Sequence, residues 1–455
     1  MTRRTLLPLL LCLLAGPALA EPVTITLLHS NDVYEIGPQQ GVGGFAPYMT
    51  LLQAERQKNP NSVTTFGGDL LSPSLLSGMT HGRQMIELMD AIGVQVAVPG
   101  NHEFDFGPRV ASEQLKAAHF PWLGTNVLDH AGRPWPGMTD LKLIEVGGYK
   151  LGFLGLLTPE TATLSTPGPE VVFAPVAETA RDAVRALKAQ GADLIIALTH
   201  QDLSDDRALI TRVEGIDIVL GGHDHDPITF YTGGKLILKA GSDLHYLAAI
   251  DLAVDRSMVK DKEVVTWRPS WRFASTAGVA PEPAVQAIVQ RWQDELGQEL
   301  AQPVGTTLVE LDTRRVAMRA HETVFGDLVA EAMRNATGAE VGLMNGGGIR
   351  GDRTYAEGTL LTRKDIQTEM PFGNVVVLLE IKGADLRAAL EPLAADLAGR
   401  VARAHFAART LTLKVRYADF TLATRRFTEP QPFLDQEAIL ATACLLLERR
   451  PRRGV

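Results

Sequence analysis

The stretch Pro99-Gly100-Asn101-His102-Glu103-Phe104-Asp105-Phe106-Gly107 follows a short apolar run, Val94-Gln95-Val96-Ala97-Val98. The run predicts a strand, so Asn101 and His102 are expected at its carboxyl end, where open α/β sheets bind their ligands. An amide oxygen beside an imidazole and two carboxylates suits either a divalent metal ion or a His–carboxylate pair that transfers protons. Taken alone, the stretch would be interpreted as a polar surface turn.

Similar residues follow four other strand-like runs, which changes that interpretation. Each run is followed closely by an Asp or a His: Asp32 after Val23–His29, Asp69 after Ser62–Gly68, His200 after Leu194–Thr199, and His223 and His225 after Ile218–Gly222. A parallel sheet brings the carboxyl ends of its strands to one edge. The sequence therefore predicts that these side chains converge on one site.

With these motifs in place, the sequence resembles the calcineurin-like metallophosphoesterases and, among them, the secreted 5′-nucleotidase family. The matching motifs are Asn31-Asp32, Gly67-Gly68-Asp69, Gly100–Gly107, Thr199-His200 and Gly221–His225. The resemblance implies a site for two divalent metal ions such as Mn²⁺ or Zn²⁺. Asp69 would bridge the ions, Asp32 and His225 would bind one of them, and Asn101, His200 and His223 would bind the other. It also implies a catalytic pair, His102 and Asp105.

Two positions depart from the commoner pattern of the family. The first motif reads Asp32-Val33-Tyr34, so Tyr34 takes the place of the His in the usual Asp-x-His. A phenol with a pKa near ~10 is a poor metal ligand at neutral pH. The first metal site is therefore expected to bind more weakly, to take water, or to prefer a different ion, with two metals retained. His225 stands where the nucleotidase branch often has Gln, and Asp224 beside it is interpreted as facing solvent.

The first twenty residues are interpreted as a secretory signal. Arg3-Arg4 precede an apolar run, Leu6–Leu14, and Ala18-Leu19-Ala20 forms an Ala-x-Ala cleavage site. The run is shorter than the ~18 residues that a spanning helix needs. We therefore expect a periplasmic or secreted protein with no membrane anchor after cleavage. Cys12 leaves with the signal, so Cys444 has no intramolecular disulfide partner.

Composition and periodicity limit the fold and the partners. A length of 455 residues with 45% hydrophobic content allows two or three globular domains, and a net charge of −9 argues against nucleic acid as a partner. Over residues 21–275, strand-like runs alternate with helical ones such as Gly44–Lys58, Pro108–Ala118 and Val176–Gln190. This alternation predicts a layered α/β domain, which the resemblance specifies as a four-layer α/β-β/α sandwich.

Residues 276–301 are predicted to form a linker helix, with a plain surface helix as the alternative. Five apolar residues recur on one helical face: Val285, Ile288, Val289, Trp292 and Leu296.

Residues 302–391 resemble the smaller α/β substrate-binding domain of the 5′-nucleotidases. The resemblance implies that Arg315, Arg319 and Arg350 bind the phosphate or neighbouring groups of a nucleotide. It also implies that Asn345 contacts the base and that Phe372 stacks on it. We expect Arg315 and Arg319 to lie on a loop.

The resemblance stops after Glu391, because the strand-rich segment with a second aromatic residue that the family carries there is not found, so this domain is expected to be truncated. Within the tail, 392–455, the segments Ala407–Thr421 and Thr424-Arg425-Arg426 resemble a fragment of the little-finger domain of Y-family DNA polymerases. A natural fusion, a frameshift or assembly error, and chance similarity are the competing explanations. DNA binding is disfavoured, because the chain as a whole is acidic.

These observations predict an exported, metal-dependent hydrolase of phosphoric esters, most simply a 5′-nucleotidase that acts by two-metal activation of water. Three other activities use the same metal core: 2′,3′-cyclic nucleotide phosphodiesterase, nucleotide-sugar hydrolase and thiosulfohydrolase. A nucleotide-binding protein without turnover is the alternative from a different class, suggested by Tyr34 and by the truncated domain.

Overall fold

The computed structural model describes residues 22–260, 262–320, 322–339, 341–371, 376–378, 410–416 and 422–428. The chain divides into two compact units, Met1–Gly297 and Gln298–Val455. The predicted signal peptide and Phe372 lie outside the described residues. Within the ranges above, no helix combines the length and the apolar character needed to cross a membrane.

The first unit is built on two large mixed sheets. The seven-stranded sheet has the spatial order Lys262–Ser275, Tyr246–Val259, Val23–Ser30, Ser62–Phe66, Val96–Ala97, Trp122–Leu123, Met138–Thr139. The six-stranded sheet has the order Pro227–Thr232, Lys235–Ala240, Ile218–Gly222, Leu194–His200, Tyr149–Leu157, Leu141–Val146. Val127–Leu128 and Val172–Phe173 form a small separate pair. Within each sheet, the strands that precede the predicted site residues are parallel to one another, as a shared edge requires.

The helices of this unit follow the strands in the alternation that the sequence predicted. They span Phe45–Lys58, Leu75–Thr80, Arg83–Ile92, Gly107–Ala117, Thr161–Leu164, Val176–Ala189 and Leu203–Arg212, with a 3₁₀ turn at Asn101–Phe104. The helices predicted at 44–58, 108–118 and 176–190 are confirmed to within about a residue, and the last of them shows the periodic apolar face on which its prediction rested.

Three buried clusters show how the layers stack. One cluster lies between the two sheets, and the other two lie between each sheet and its own helices. The strand Leu194–His200 shows the period of two that this requires: Ile196 and Leu198 join the cluster between the sheets, whereas Ile195 and Ala197 join the helix side. The order helix, sheet, sheet, helix confirms the predicted four-layer sandwich.

The helix Pro283–Leu300 begins in the first unit and ends in the second. Val285, Val289 and Trp292 are buried in the core of the first unit, and Ile288 and Leu296 pack against it. The predicted apolar face is therefore confirmed.

The second unit is a smaller α/β unit with its own buried cluster around Phe325 and Tyr355. Its described helices are Arg315–Met318, Val324–Thr337 and Arg363–Glu369, with a 3₁₀ turn at Gly346–Gly348. Its described strands pair antiparallel as Pro303–Thr306 with Leu360–Thr362, Leu311–Asp312 with Thr354–Tyr355, and Thr410–Arg416 with Leu422–Thr428. The last pair lies in the tail.

Candidate active site

The ends of the two sheets meet where the predicted site residues emerge. His29, at the end of the strand Val23–Ser30, approaches the carbonyl oxygen of Gly221 in the other sheet, with Nε2 at 3.0 Å. His200 approaches the carbonyl oxygen of Gly67 in the reverse sense, with Nδ1 at 2.8 Å. Both imidazoles are fully buried. These two contacts cross the gap between the sheets and bring their carboxyl ends together.

One group of donors is centred on the buried carboxylate of Asp69. Its Oδ2 lies 3.2 Å from Nε2 of His200, which in turn lies 3.3 Å from Nδ1 of His223. All three side chains offer donor atoms within 4.8 Å of one another, as a metal ion would require. Beside them, the backbone N–H of His102 donates to Oδ1 of Asp69 at 2.9 Å, and Asn101 is the residue that precedes His102.

Asn101 supplies the clearest indication that this group suits a cation. The residue is only 5% exposed, yet no described residue donates a hydrogen bond to its Oδ1. A buried carbonyl oxygen without a partner costs roughly 1–3 kcal/mol. A metal ion beside Asp69 would satisfy this oxygen, so the donor set fits a divalent cation.

A second group surrounds Oδ1 of Asp32. Nε2 of His225 lies 3.3 Å from this oxygen, and the hydroxyl of Tyr34 lies within 3.3 Å of Asp32, Asp69 and His225. The other carboxylate oxygen of Asp32 accepts from the backbone N–H of His223 at 2.9 Å. The Tyr34 hydroxyl therefore lies among the three residues expected to bind the first metal.

The loops that carry these residues adopt unusual backbone conformations. Asp32, Asp69 and His223 have φ of +54°, +63° and +76°, in the left-handed region that non-glycine residues rarely occupy. Gly222 has to be glycine, because a Cβ there would clash with the carbonyl oxygen of Gly67. Such conformations are maintained only where neighbouring contacts hold them.

Glu103 provides one set of those contacts and was assigned no role from the sequence. Its fully buried carboxylate accepts from the backbone N–H groups of Asp69, Leu70 and Leu71 at 3.1, 2.6 and 3.1 Å, and from that of Gly100. Burial, together with the charge of Asp69, raises the pKa of Glu103. One carboxylate thus holds the loop of Asp69 to the loop of Asn101.

The predicted catalytic pair is formed. Nδ1 of His102 lies 2.6 Å from Oδ2 of Asp105, and the Ser165 hydroxyl donates to the other oxygen of Asp105 at 2.7 Å. Nε2 of His102 lies 3.9 Å from Asp69, so it faces the donor groups. Burial alone would lower the pKa of His102, but the bond to Asp105 and the charge of Asp69 raise it to about 9. Ser165 lies on a loop far away in sequence and carried no signal.

The site is rich in negative charge. Burial alone would raise the pKa of Asp69, but His200 and His102 lower it to about 2. In the same way, burial alone would lower the pKa of His200, whereas Asp69 and Asp32 raise it to about 9. Buried carboxylates therefore draw positive charge onto the neighbouring imidazoles, and a bound cation would take over that compensation.

Asp224 corrects one interpretation from the sequence. Its side chain is 29% exposed but does not simply face solvent, because Oδ2 accepts from Nζ of Lys239 at 2.5 Å and from the backbone N–H of Leu203 at 2.9 Å. Lys239 lies on a neighbouring strand of the same sheet. The local sequence around Asp224 contains no sign of that partner.

In the second unit, the segments of the predicted substrate residues lie close together. A Cβ on Gly346 would clash with the carbonyl oxygen of Met318. The segment that contains Asn345 and Gly346 therefore lies against the end of the helix Arg315–Met318. The backbone N–H of Arg315 donates to Asp352, two residues after Arg350, at 2.8 Å.

Four of the five predicted substrate residues are exposed, Arg315, Arg319, Asn345 and Arg350, and the fifth, Phe372, is outside the described residues. Arg315 and Arg319 were expected on a loop, which is wrong: Arg315 begins a short helix and Arg319 caps its end. The roles of these residues and of the metal ligands stay predictions.

Two family models match the chain. Residues 25–227 match the model described as calcineurin-like phosphoesterase, and residues 303–430 match the one described as 5′-nucleotidase, C-terminal domain. The second match continues past Glu391 and includes residues 392–430 of the tail, so the expectation that the likeness stops at Glu391 is wrong. The domain boundaries themselves stay predictions.

Relatives and solved structures agree with these matches. The chain is 28% identical over 412 residues to a trifunctional nucleotide phosphoesterase protein of Bacillus subtilis, covering 81% of this chain but 27% of that protein. It is 28% identical over 414 residues to a snake venom 5′-nucleotidase of Crotalus adamanteus, covering 81% of this chain and 69% of the relative.

The crystal structure of a 5′-nucleotidase precursor from Thermus thermophilus has the same fold. It superposes with a TM-score of 0.58 at 22% identity, covering 93% of this chain and 97% of that one. The fold, the two matched domains and the donor groups at the strand ends lead to one assignment: the chain combines a calcineurin-like phosphoesterase domain with a 5′-nucleotidase C-terminal domain, the domains of metal-dependent phosphoester hydrolases.

Proposed function

We propose that the chain is an exported 5′-nucleotidase that releases phosphate from nucleotides with the help of two divalent metal ions. The observation that carries the proposal is the convergence of carboxylate, amide and imidazole donors from both sheets, with the buried Oδ1 of Asn101 unsatisfied by any described residue. Asp69, Asn101, His200 and His223 would hold one ion. Asp32, Asp69 and His225 would hold the other.

The spacing of the donors supports this division. With bonds of ~2.1 Å, neighbouring ligands of one ion lie ~3.0 Å apart in octahedral and ~3.4 Å apart in tetrahedral geometry. The distance from Asp69 to His200 is 3.2 Å, and the distance from Asp32 to His225 is 3.3 Å. Each pair therefore has the separation of two ligands on one ion.

Bound divalent ions would activate a water molecule and neutralise charge on the phosphoryl oxygens. The chain's own residues account for the proton. Asp105 orients His102 through Nδ1, and Ser165 fixes Asp105 from its other side. Nε2 of His102 then carries the proton that the leaving alkoxide needs.

The substrate class and the location rest on other observations. The match to the nucleotidase C-terminal domain and the relative named as a 5′-nucleotidase support nucleotides as substrates. The signal-like residues 1–20 support export, and the snake venom relative is consistent with it. The relative named as a trifunctional nucleotide phosphoesterase supports testing more than one nucleotide ester. The panel therefore also contains the substrates of two alternatives raised by the sequence, 2′,3′-cyclic nucleotides and nucleotide sugars.

The test is phosphate release from AMP, and hydrolysis of a generic phosphodiester, by the chain from Glu21 onward with Mn²⁺ or Zn²⁺. His102→Ala is expected to lower turnover by ~10²–10⁴, the usual effect of removing a general acid, while metal content stays the same. His119→Ala is the matched control, since His119 also pairs with a carboxylate, Asp90, at 2.9 Å but is 88% exposed.

Two outcomes count against the proposal. Loss of metal from His102→Ala would make His102 a ligand rather than the acid. Nucleotide binding without turnover under any metal would favour the second candidate, a nucleotide-binding protein. The position of the Tyr34 hydroxyl near Asp32, Asp69 and His225 motivates this candidate.

A further inference from the structure

Lys239 is a fully buried lysine near the end of the strand Lys235–Ala240, and the sequence assigned it no role. Its ammonium group has three donors and three hydrogen-bond acceptors around it. These are the carbonyl oxygens of Gln201 at 2.6 Å and Gly222 at 2.8 Å, and Oδ2 of Asp224 at 2.5 Å. The buried carboxylate of Asp206 lies 3.0 Å away and balances the charge.

All three acceptors flank proposed metal ligands. Gln201 follows His200, Gly222 precedes His223, and Asp224 separates His223 from His225. One ammonium therefore joins the two loops that the six-stranded sheet contributes to the site. Asp224 extends the connection, because it also accepts from the backbone N–H of Leu203, where the next helix begins.

We infer that Lys239 and Asp224 form a clamp that positions His200, His223 and His225 for metal binding. The inference rests on the proposed two-metal function and adds to it the residues that set the affinity of the site. His223 needs such support, because its backbone has φ of +76° and relaxes without contacts that hold it. As a simple stabiliser of the fold, a buried ion pair would be a poor choice, since apolar residues of similar size are often as good or better.

The same strand offers a contrast. Lys235 also donates to carbonyl oxygens, those of Ile210 at 2.6 Å and Val213 at 3.4 Å, but these lie at the far end of a helix and flank no ligand. Lys235 therefore joins a strand to a helix without contacting the proposed metal site, and its replacement serves as a control for the replacement of Lys239.

The experiment measures Mn²⁺ affinity of the full chain by calorimetry, with Asp224→Ala as the main variant. Partners that orient metal ligands typically change metal affinity 10–100-fold when removed, and we expect a loss in that range. Asp226→Ala removes an exposed carboxylate from the same loop and controls for charge. We expect it to change the affinity less than threefold, and Lys235→Gln likewise.

Lys239→Gln is the second variant and is interpreted only if it folds, because it leaves Asp206 buried without its cation. For Asp224→Ala, the midpoint of thermal unfolding in EDTA is compared with that of Asp226→Ala. A positioning role predicts weaker Mn²⁺ binding and recovery of turnover at saturating Mn²⁺, with the midpoint lowered by no more than the loss of two hydrogen bonds explains. A structural role predicts a lowered midpoint without recovery.

Unchanged Mn²⁺ affinity in folded Asp224→Ala would overturn the clamp while leaving the hydrolase intact. A wild-type chain that binds no Mn²⁺ would overturn both the clamp and the proposed function. A wild-type chain that binds Mn²⁺ through these residues but releases no phosphate would overturn the proposed function alone, because the affinity comparison still applies.

Discussion

The hydroxyl of Tyr34 lies 3.0 Å from Nε2 of His225, and the same oxygen is 3.2 Å from Asp69 and 3.3 Å from Asp32. Burial, with the charges of the two carboxylates, raises the pKa of Tyr34 above its ordinary value, so the neutral phenol is the form present. A metal ion bound by Asp32 and His225 has to displace this hydroxyl or accept a weak neutral ligand. The two metal sites are therefore expected to differ in affinity.

Tyr34→His is expected to bind the second equivalent of Mn²⁺ at least ~10-fold more tightly than wild type, because imidazole is a far better neutral ligand than phenol. Metal content after equilibrium dialysis at several free Mn²⁺ concentrations measures this. Tyr34→Phe is the control, since it removes the hydroxyl without adding a ligand. Equal affinities of wild type and Tyr34→His would contradict the assignment of Tyr34 to the first site.

Asn101→Leu is expected to weaken Mn²⁺ binding without weakening the metal-free fold. The substitution removes a buried oxygen that no described residue satisfies, so stability in EDTA should rise by about 1 kcal/mol. Asn126→Leu is the contrast: its amide bonds the backbone of Leu157 and Ala174, and losing those bonds should cost about 3 kcal/mol. Denaturant unfolding of both variants decides the point, and destabilisation of Asn101→Leu in EDTA would refute it.

His29 should make the stability of the first unit depend on pH. Burial lowers the pKa of His29 to about 4, whereas the unfolded chain has a value near ~6.5. Its stabilisation is thus fully present above pH ~6.5 and is lost as the pH falls through the folded pKa. Between pH 7.5 and 5, the loss should be about 2 kcal/mol.

Denaturant unfolding in EDTA at the two pH values measures this loss. His29→Gln keeps a donor for the carbonyl of Gly221 but does not titrate, so its stability should fall less. His119→Gln, at the surface, is expected to keep the wild-type dependence. The same slope in wild type and His29→Gln would show that other groups cause the change.

Arg315→Ala should raise KM for AMP roughly 10–100-fold, because a charged hydrogen bond to phosphate contributes about 1.5–3 kcal/mol. KM for a small generic phosphodiester should rise as well, since it presents the same kind of phosphate oxygens to Arg315. Arg314→Ala is the neighbouring control: its guanidinium pairs with Asp312 at 2.7 Å. Steady-state kinetics on both substrates measure the difference, and an equal effect of the two variants would contradict a specific role for Arg315.

The donors of the site were predictable because each one follows a strand with its own apolar pattern. An Asp, Asn or His that follows a strand can be recognised from the local sequence without knowing which residues it contacts. Six candidate donors could be named in this way: Asp32, Asp69, Asn101, His200, His223 and His225. The alternation of strands and helices was predictable for the same reason, since the periods of two and of 3.6 residues are local, whereas the number of layers was implied by the family resemblance. The helix Arg315–Met318 was missed because a single turn carries too short a pattern.

The contacts that tune the site could not be read from the sequence, because they join residues far apart along the chain. Tyr34 and His225 are separated by 191 positions, and the buried Lys239 reaches Asp224 from another strand. Packing of two sheets decides which side chains share a hydrogen bond, and no local pattern records that packing. The sequence by itself determined which residues with oxygen and nitrogen donors follow the strands. Only the tertiary structure decided that the Tyr34 hydroxyl lies among them and that the Lys239 ammonium contacts their loops, because packing of the two sheets sets those contacts.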